Sequence, residues 1–115
     1  MTRQSIASIN PLLEVYMKRV IPTTYPADPC LDTPATLGAA IRAARTQAGM
    51  RQVDAALSIG VALQTLIDIE TGQPGVSIGK ILQVAQGLGV SLFVLPQSQR
   101  DNARRRLADL TQPPL

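Results

Sequence analysis

Histidine and tryptophan are absent from these 115 residues, and cysteine occurs once, at position 30. Each absence excludes something. Without histidine the chain lacks the side chain that titrates near neutrality, which is also the commonest general base and metal ligand. A lone cysteine can form no disulfide within the chain and cannot build a thiolate zinc site. Cys30 therefore reads as an ordinary linker thiol. No glycine-rich phosphate loop of the dinucleotide or P-loop pattern occurs. No metal, no cofactor and no catalysis are expected on these grounds. Aromatics are scarce, with two Tyr and one Phe, so a core has to be built from Leu, Ile, Val and Ala, as in packed helices. No apolar run approaches the roughly eighteen residues of a membrane span. The early apolar residues are interrupted by Asn10-Pro11 and Glu14, which leaves no signal-peptide core. The expected location is the cytoplasm, with no membrane partner.

What is present suits one globular domain: 45% of the residues are hydrophobic and 17% charged. The net charge is +3, and its placement is uneven. Residues 1–33 carry three basic and three acidic side chains, residues 34–96 four and three, and residues 97–115 four and two. The surplus lies mainly in Arg100, Arg104, Arg105 and Arg106, while the middle of the chain is close to neutral. The Arg104-Arg105-Arg106 run has two readings, a contact with a nucleic-acid backbone or a solvated helix face.

Three regions follow from the pattern: an N-terminal extension over 1–33, a helical domain over 34–96 and a basic tail over 97–115. In the extension, Leu12, Leu13, Val15, Tyr16 and Val20 give residues 5–20 the look of a short amphipathic helix. That segment either covers a dimer core, binds a partner or stays disordered. Pro22, Pro26, Pro29 and Pro34 make the stretch that follows an extended linker. In the domain, Thr36 is the expected cap of a first helix burying Leu37, Ile41, Ala44 and Ala48 and stopping at Gly49. A second helix over about 51–58 buries Ala55 or Ala56, and Leu57. A turn at Ile59-Gly60-Val61 leads to a third helix over about 62–71. Ser77 caps a fourth, which buries Ile78, Ile81, Leu82 and Ala85. Val90, Leu92, Phe93, Val94 and Leu95 then read as a strand stopped by Pro96. A lone strand in a helical domain needs a partner for its backbone. Pairing with the same strand of a second copy supplies one and gives a two-fold homodimer; docking as an extended segment on its own helices is the other reading. A charged helix is expected over 98–110.

These residues resemble a known family. Leu37-Gly38, Ile41-Arg42, Arg45 and Gly49, followed by Gln52, Ala56, Gly60-Val61, Leu66, Ile69-Glu70, Gly72, Leu82, Ala85 and Leu88-Gly89, are similar to the Cro/C1-type (Xre) helix-turn-helix pattern. Gly72, Pro74-Gly75-Val76-Ser77 and Gly79-Lys80, with the strand after them, resemble the HipB-like antitoxin regulators. The resemblance covers about half the chain. It implies an all-α, lambda-repressor-like helix-turn-helix fold with a short C-terminal strand pairing in a dimer. It further implies a sequence-specific regulator of transcription, a repressor or antitoxin-type autoregulator, bound to double-stranded DNA and, through the HipB likeness, a kinase-like toxin as partner. It assigns Gln52 to a DNA phosphate near a helix N-terminus, and Glu70 to a structural pairing with an arginine of the first helix, Arg45.

The departures are informative. At about 100° per residue, Leu63, Gln64, Ile67, Asp68 and Thr71 share the outer face of the third helix. Family members often cap this helix with Ser and place Arg, Lys or Ser on that face; here Ala62 stands at the cap and the helix has no basic residue. In one reading Gln64 reads an adenine edge, Asp68 accepts from a cytosine amino group, and Leu63 or Ile67 meets a thymine methyl. Arg51, Gln52, Thr71, Gln73 and Lys80 then hold phosphates. In the alternative, Leu63 and Ile67 form an exposed apolar pair for a protein contact. The chain would then be an adaptor or anti-activator that keeps the fold without the DNA.

Overall fold

Pro34 fixes where the first helix begins, because its locked φ and missing N–H suit the first helical position. In the computed structural model, which describes residues 19–111, α1 runs from Pro34 to Gln47. Its cap is Thr33, three residues before the expected Thr36. The Thr33 hydroxyl accepts from the Thr36 amide at 3.1 Å, and the Thr36 hydroxyl accepts from the Thr33 amide at 3.2 Å, so Thr36 is the second half of a capping box. Then follow α2 (Gln52–Ile59), α3 (Leu63–Glu70) and α4 (Ile78–Gly87), with α5 (Arg100–Leu107) between two 3₁₀ turns, Gln97–Gln99 and Ala108–Thr111. Ser77 caps α4 as expected, accepting from the Lys80 amide. The amphipathic segment expected at 5–20 lies, apart from its last two residues, outside the described residues.

The core is aliphatic, as the shortage of aromatics requires. Ile41 of α1, Ala55 and Ala56 of α2, Leu66 and Ile69 of α3, and Val84 and Ala85 of α4 are buried together. Leu37, Met50, Ile59, Val61, Ile81 and Leu88 pack around them. Four residues expected inside are outside. Ala48 is exposed beyond the end of α1. Leu57 is 82% exposed because α2 turns Gln52, Ala55, Ala56 and Ile59 inward, and Leu57 lies about 100° past Ala56. The inward stripe of α4 is Ile81, Val84 and Ala85, continued just past the helix by Leu88. Leu82 stands one position off it, and Ile78 lies in the first turn, ahead of its buried part; both are exposed.

Two close approaches set the arrangement of α1, α2 and α3. Gly60 adopts φ 91°, a left-handed value natural to glycine, and with the small Ala56 it lets α3 leave α2 at a bend of 116°. At Gly38, α1 meets the C-terminal end of α3 so closely that a Cβ would collide with the carbonyl oxygens of Ile69 and Glu70.

Residues 90–95 form no strand among the described residues. The Val90 amide still bonds to Ala85 O at 2.8 Å, and the next backbone bond is Gln99 to Pro96. Between them the backbone makes no hydrogen bond within the described chain, because a single copy offers this segment no neighbouring strand. Val90 still packs against the core, but beyond it the side chains turn outward: Phe93 is 78% and Val94 98% exposed.

The proline-rich linker has no regular structure but is held at both ends, at one by α1 and at the other by α5. Near one end, the Thr23 amide donates to the Thr46 hydroxyl at 2.9 Å, and Gln47 Nε2 donates to Thr23 O. Near the other, Asp28 accepts from Arg104 at 3.1 Å and Asp32 from Arg100 at 3.3 Å, while Ala103 is buried at the contact. The tail helix expected over 98–110 thus docks on the linker. Among the described residues, no single helix is long and apolar enough to cross a membrane.

Candidate nucleic-acid interface

The interface rests on a buried ionic hub. Arg45 of α1 donates from Nε to Glu70 Oε2 at 2.6 Å and from Nη2 to Oε1 at 2.9 Å, a bidentate pair with both side chains almost fully buried. Its remaining Nη1 donates to Met50 O at 2.7 Å, and Gln52 Nε2 donates to Glu70 Oε1 at 3.1 Å. Two charges out of water are tolerable only when their hydrogen bonds are met in this way. The hub ties the end of α1, the start of α2 and the end of α3 together, bracing the two helices of the helix-turn-helix against each other. The Arg45–Glu70 pairing implied by the resemblance is present. The engagement of Gln52 in it is not legible from spacing, since the partners are eighteen residues apart.

The outer face of α3 carries Leu63, Gln64, Ile67, Asp68 and, just past the helix, Thr71. Leu63, Gln64 and Thr71 are exposed; Ile67 and Asp68 are half-buried. Gln64 Nε2 donates to Asp68 Oδ1 at 2.9 Å. The Thr71 hydroxyl bonds back to Ile67 O at 2.9 Å, closing the end of the helix. Ala62 supplies no side-chain cap, so the first amides of α3 have no partner from a capping side chain. Beside this face, Asp68, Gln73 and Lys80 line one shallow depression with Thr65 and Ser77. Sequence pattern gives no sign of Thr65 at this place and points to Ser77 only as a helix cap. Their positions are the available clue: Thr65 follows Gln64 directly, and Ser77 stands three residues before Lys80.

Arg51 and Gln52 stand at the other end of the unit, where α2 begins. Arg51 is exposed and paired with Asp54, Nε to Oδ2 at 2.8 Å, which raises the guanidinium pKa above its ordinary value. So exposed a pair is weakly held and open to exchange. Of the four cations in residues 34–96, Arg45 is spent on Glu70 and Arg51 on Asp54; Arg42 and Lys80 have no ion pair among the described residues. Asp68 is the one charge on the outer face of α3.

Known proteins resemble this chain in sequence and fold. A family model described as helix-turn-helix matches residues 41–95. An uncharacterized HTH-type transcriptional regulator, y4mF, of Sinorhizobium fredii (strain NBRC 101917 / NGR234) is 41% identical over 70 residues, covering 61% of this chain and 92% of that protein. Two solved structures share the fold: a serine-to-alanine variant of HipB in complex with the O2 20mer, and HipB in complex with the O4 20mer. Each has a TM-score of 0.55 and 22% identity, and covers 59% of this chain and 94% or 96% of the other. The linker and the tail helix lie outside the matched family region.

Proposed function

Because the chain belongs to the helix-turn-helix family of Cro/C1 type, we propose that it is a sequence-specific DNA-binding regulator of transcription, a repressor or antitoxin-type autoregulator. The observation that carries this reading is the α2–turn–α3 unit itself. The buried Arg45–Glu70–Gln52 hub braces it, and the outer face of α3 stands free to enter a major groove. In this reading Leu63, Gln64, Ile67 and Asp68 meet base edges, and Arg51, Gln52, Thr71, Gln73 and Lys80 meet phosphates. Gln52 reaches a phosphate with what the hub leaves free of its amide, and Arg51 exchanges Asp54 for one. The y4mF relative, a transcriptional regulator by name, supports the regulatory role.

The working unit is a homodimer paired through residues 90–95. What supports it is the run of backbone groups with no partner in the described chain and the exposed Leu92, Phe93, Val94 and Leu95 beside them. A kinase-like toxin partner rests on the HipB likeness alone. The cytoplasm remains the proposed location, and the activity is binding rather than catalysis.

One observation favours a second reading. The outer face of α3 has no cation, and Leu63, on that face, is 41% exposed. That is the surface of an adaptor or anti-activator that contacts a protein. A fluorescence-anisotropy titration of the full chain against its own upstream promoter DNA and a scrambled duplex, at two salt concentrations, separates the two. Tight binding to the promoter alone, lost in Gln64→Ala, is the result expected. Equal weak binding to both duplexes, abolished by modest salt, overturns the DNA reading in favour of a protein partner on Leu63 and Ile67.

A further inference from the structure

Two polar side chains on the outer face of α3 are bonded to each other, Gln64 Nε2 donating to Asp68 Oδ1 one turn along the helix. A primary amide has two N–H bonds and one acceptor oxygen. A glutamine that reads adenine in the major groove accepts from the N6 amino group with Oε1 and donates one N–H to N7. Its second N–H is surplus to that contact. We propose that Gln64 is the adenine-reading residue of α3 and that Asp68, instead of meeting a base edge itself, is a positioning residue, which takes the surplus N–H and fixes the way the amide faces. The assignment rests on the DNA-binding reading above.

Two further features fit the same class of site. No arginine or lysine stands on α3 to make the bidentate contact with guanine O6 and N7. Leu63 and Ile67 flank the pair and give an apolar surface suited to thymine methyl groups. The base pairs under α3 are then A·T, with adenine at Gln64 and thymine methyls beside it. Without the bond to Asp68 the amide is free to turn over and exchange its donor with its acceptor, and the preference for adenine falls. The Asp68 carboxylate also faces the negative field of the phosphates, so it lowers affinity while it raises selectivity.

The test begins with selection of duplexes from a random pool by the full chain. Anisotropy on the selected duplex follows, with each enriched adenine replaced in turn by 7-deazaadenine, which lacks the N7 acceptor. The wild-type chain is expected to lose about fivefold or more in affinity at one adenine per half-site. Asp68→Ala is expected to bind every duplex more tightly while losing the preference for that adenine. Asp68→Asn keeps an acceptor for the amide, so it restores the preference and keeps the tighter binding. A motif whose adenine preference survives Asp68→Ala overturns the assignment, and so does one in which Asp68→Ala abolishes a cytosine instead. Failure of the wild-type chain to select any sequence defeats the DNA-binding reading and the assignment with it. A selected motif indifferent to Gln64→Ala defeats the assignment alone.

Discussion

Glu70 is one of three polar or charged side chains buried in the described chain, with Arg45 and Thr46. Glu70→Ala leaves the Arg45 guanidinium buried without its counter-charge, and the loss is expected at about 3–5 kcal/mol, read as a lower midpoint in urea. The double variant Arg45→Met/Glu70→Leu is expected to recover most of that, because it removes both charges and refills the space. At this scale the sequence shows which residues matter better than what they touch. The family-like spacing exposes Arg45 and Glu70 as partners. It presents Gln52 as an outward residue, and one of the two N–H bonds of that amide turns inward instead. The Gln64–Asp68 bond is within reach of the sequence, since glutamine and aspartate four apart on a helix are neighbours. Assigning each side chain its own base to read obscures that they engage each other.

The elements themselves are legible. Glycine and proline punctuation with helical periodicity marks α1 to α4 within a few residues, and the charged tail marks α5. What periodicity leaves open is which of two adjacent apolar positions faces in. Ala56 and Leu57 are neighbours, and the crossing of α2 with α3 favours the small side chain, so Leu57 is left in solvent. Residues 90–95 mark a different limit, because a strand is a property of two segments and the sequence of one chain shows only half of it. The proposed homodimer predicts that Val94→Lys, at a position 98% exposed in one copy, leaves the helical fold unchanged but places like charges together at the two-fold pairing. Sedimentation velocity is expected to show a two-chain mass for the wild type and a one-chain mass for the variant. A one-chain mass for the wild type at tens of micromolar removes the dimer from the reading.

At the scale of the whole molecule, the linker and tail are the least legible parts, since neither lies in the family-like stretch. Asp28 and Asp32 are four apart, as are Arg100 and Arg104, but no local rule pairs segments about seventy residues distant. The ion pairs there have a pH signature. Arg104 beside Asp28, with help from the Cys30 amide, holds the carboxyl below its ordinary value of 3.8. The folded chain therefore binds that proton less readily than the unfolded chain, so the contribution is whole above 3.8 and is lost as the pH falls below it. Docking of α5 is expected to be indifferent to pH between about 5 and 8 and to loosen in acid before the helical core does. Amide exchange of α5 against α1 across that range is the measurement, and release at about pH 6 would contradict it.

The same clasp bears on the order in which the chain assembles. The contacts among α1, α2, α3 and α4 close short loops, whereas the Asp32–Arg100 and Asp28–Arg104 pairs span 68 and 76 residues and are made by partly exposed charges. Closing so long a loop for so small a return is favourable only once the helices have brought its ends together. The linker and tail are thus expected to fold late and open early relative to the helical core, with partial unfolding starting where Asp28 and Asp32 part from Arg104 and Arg100.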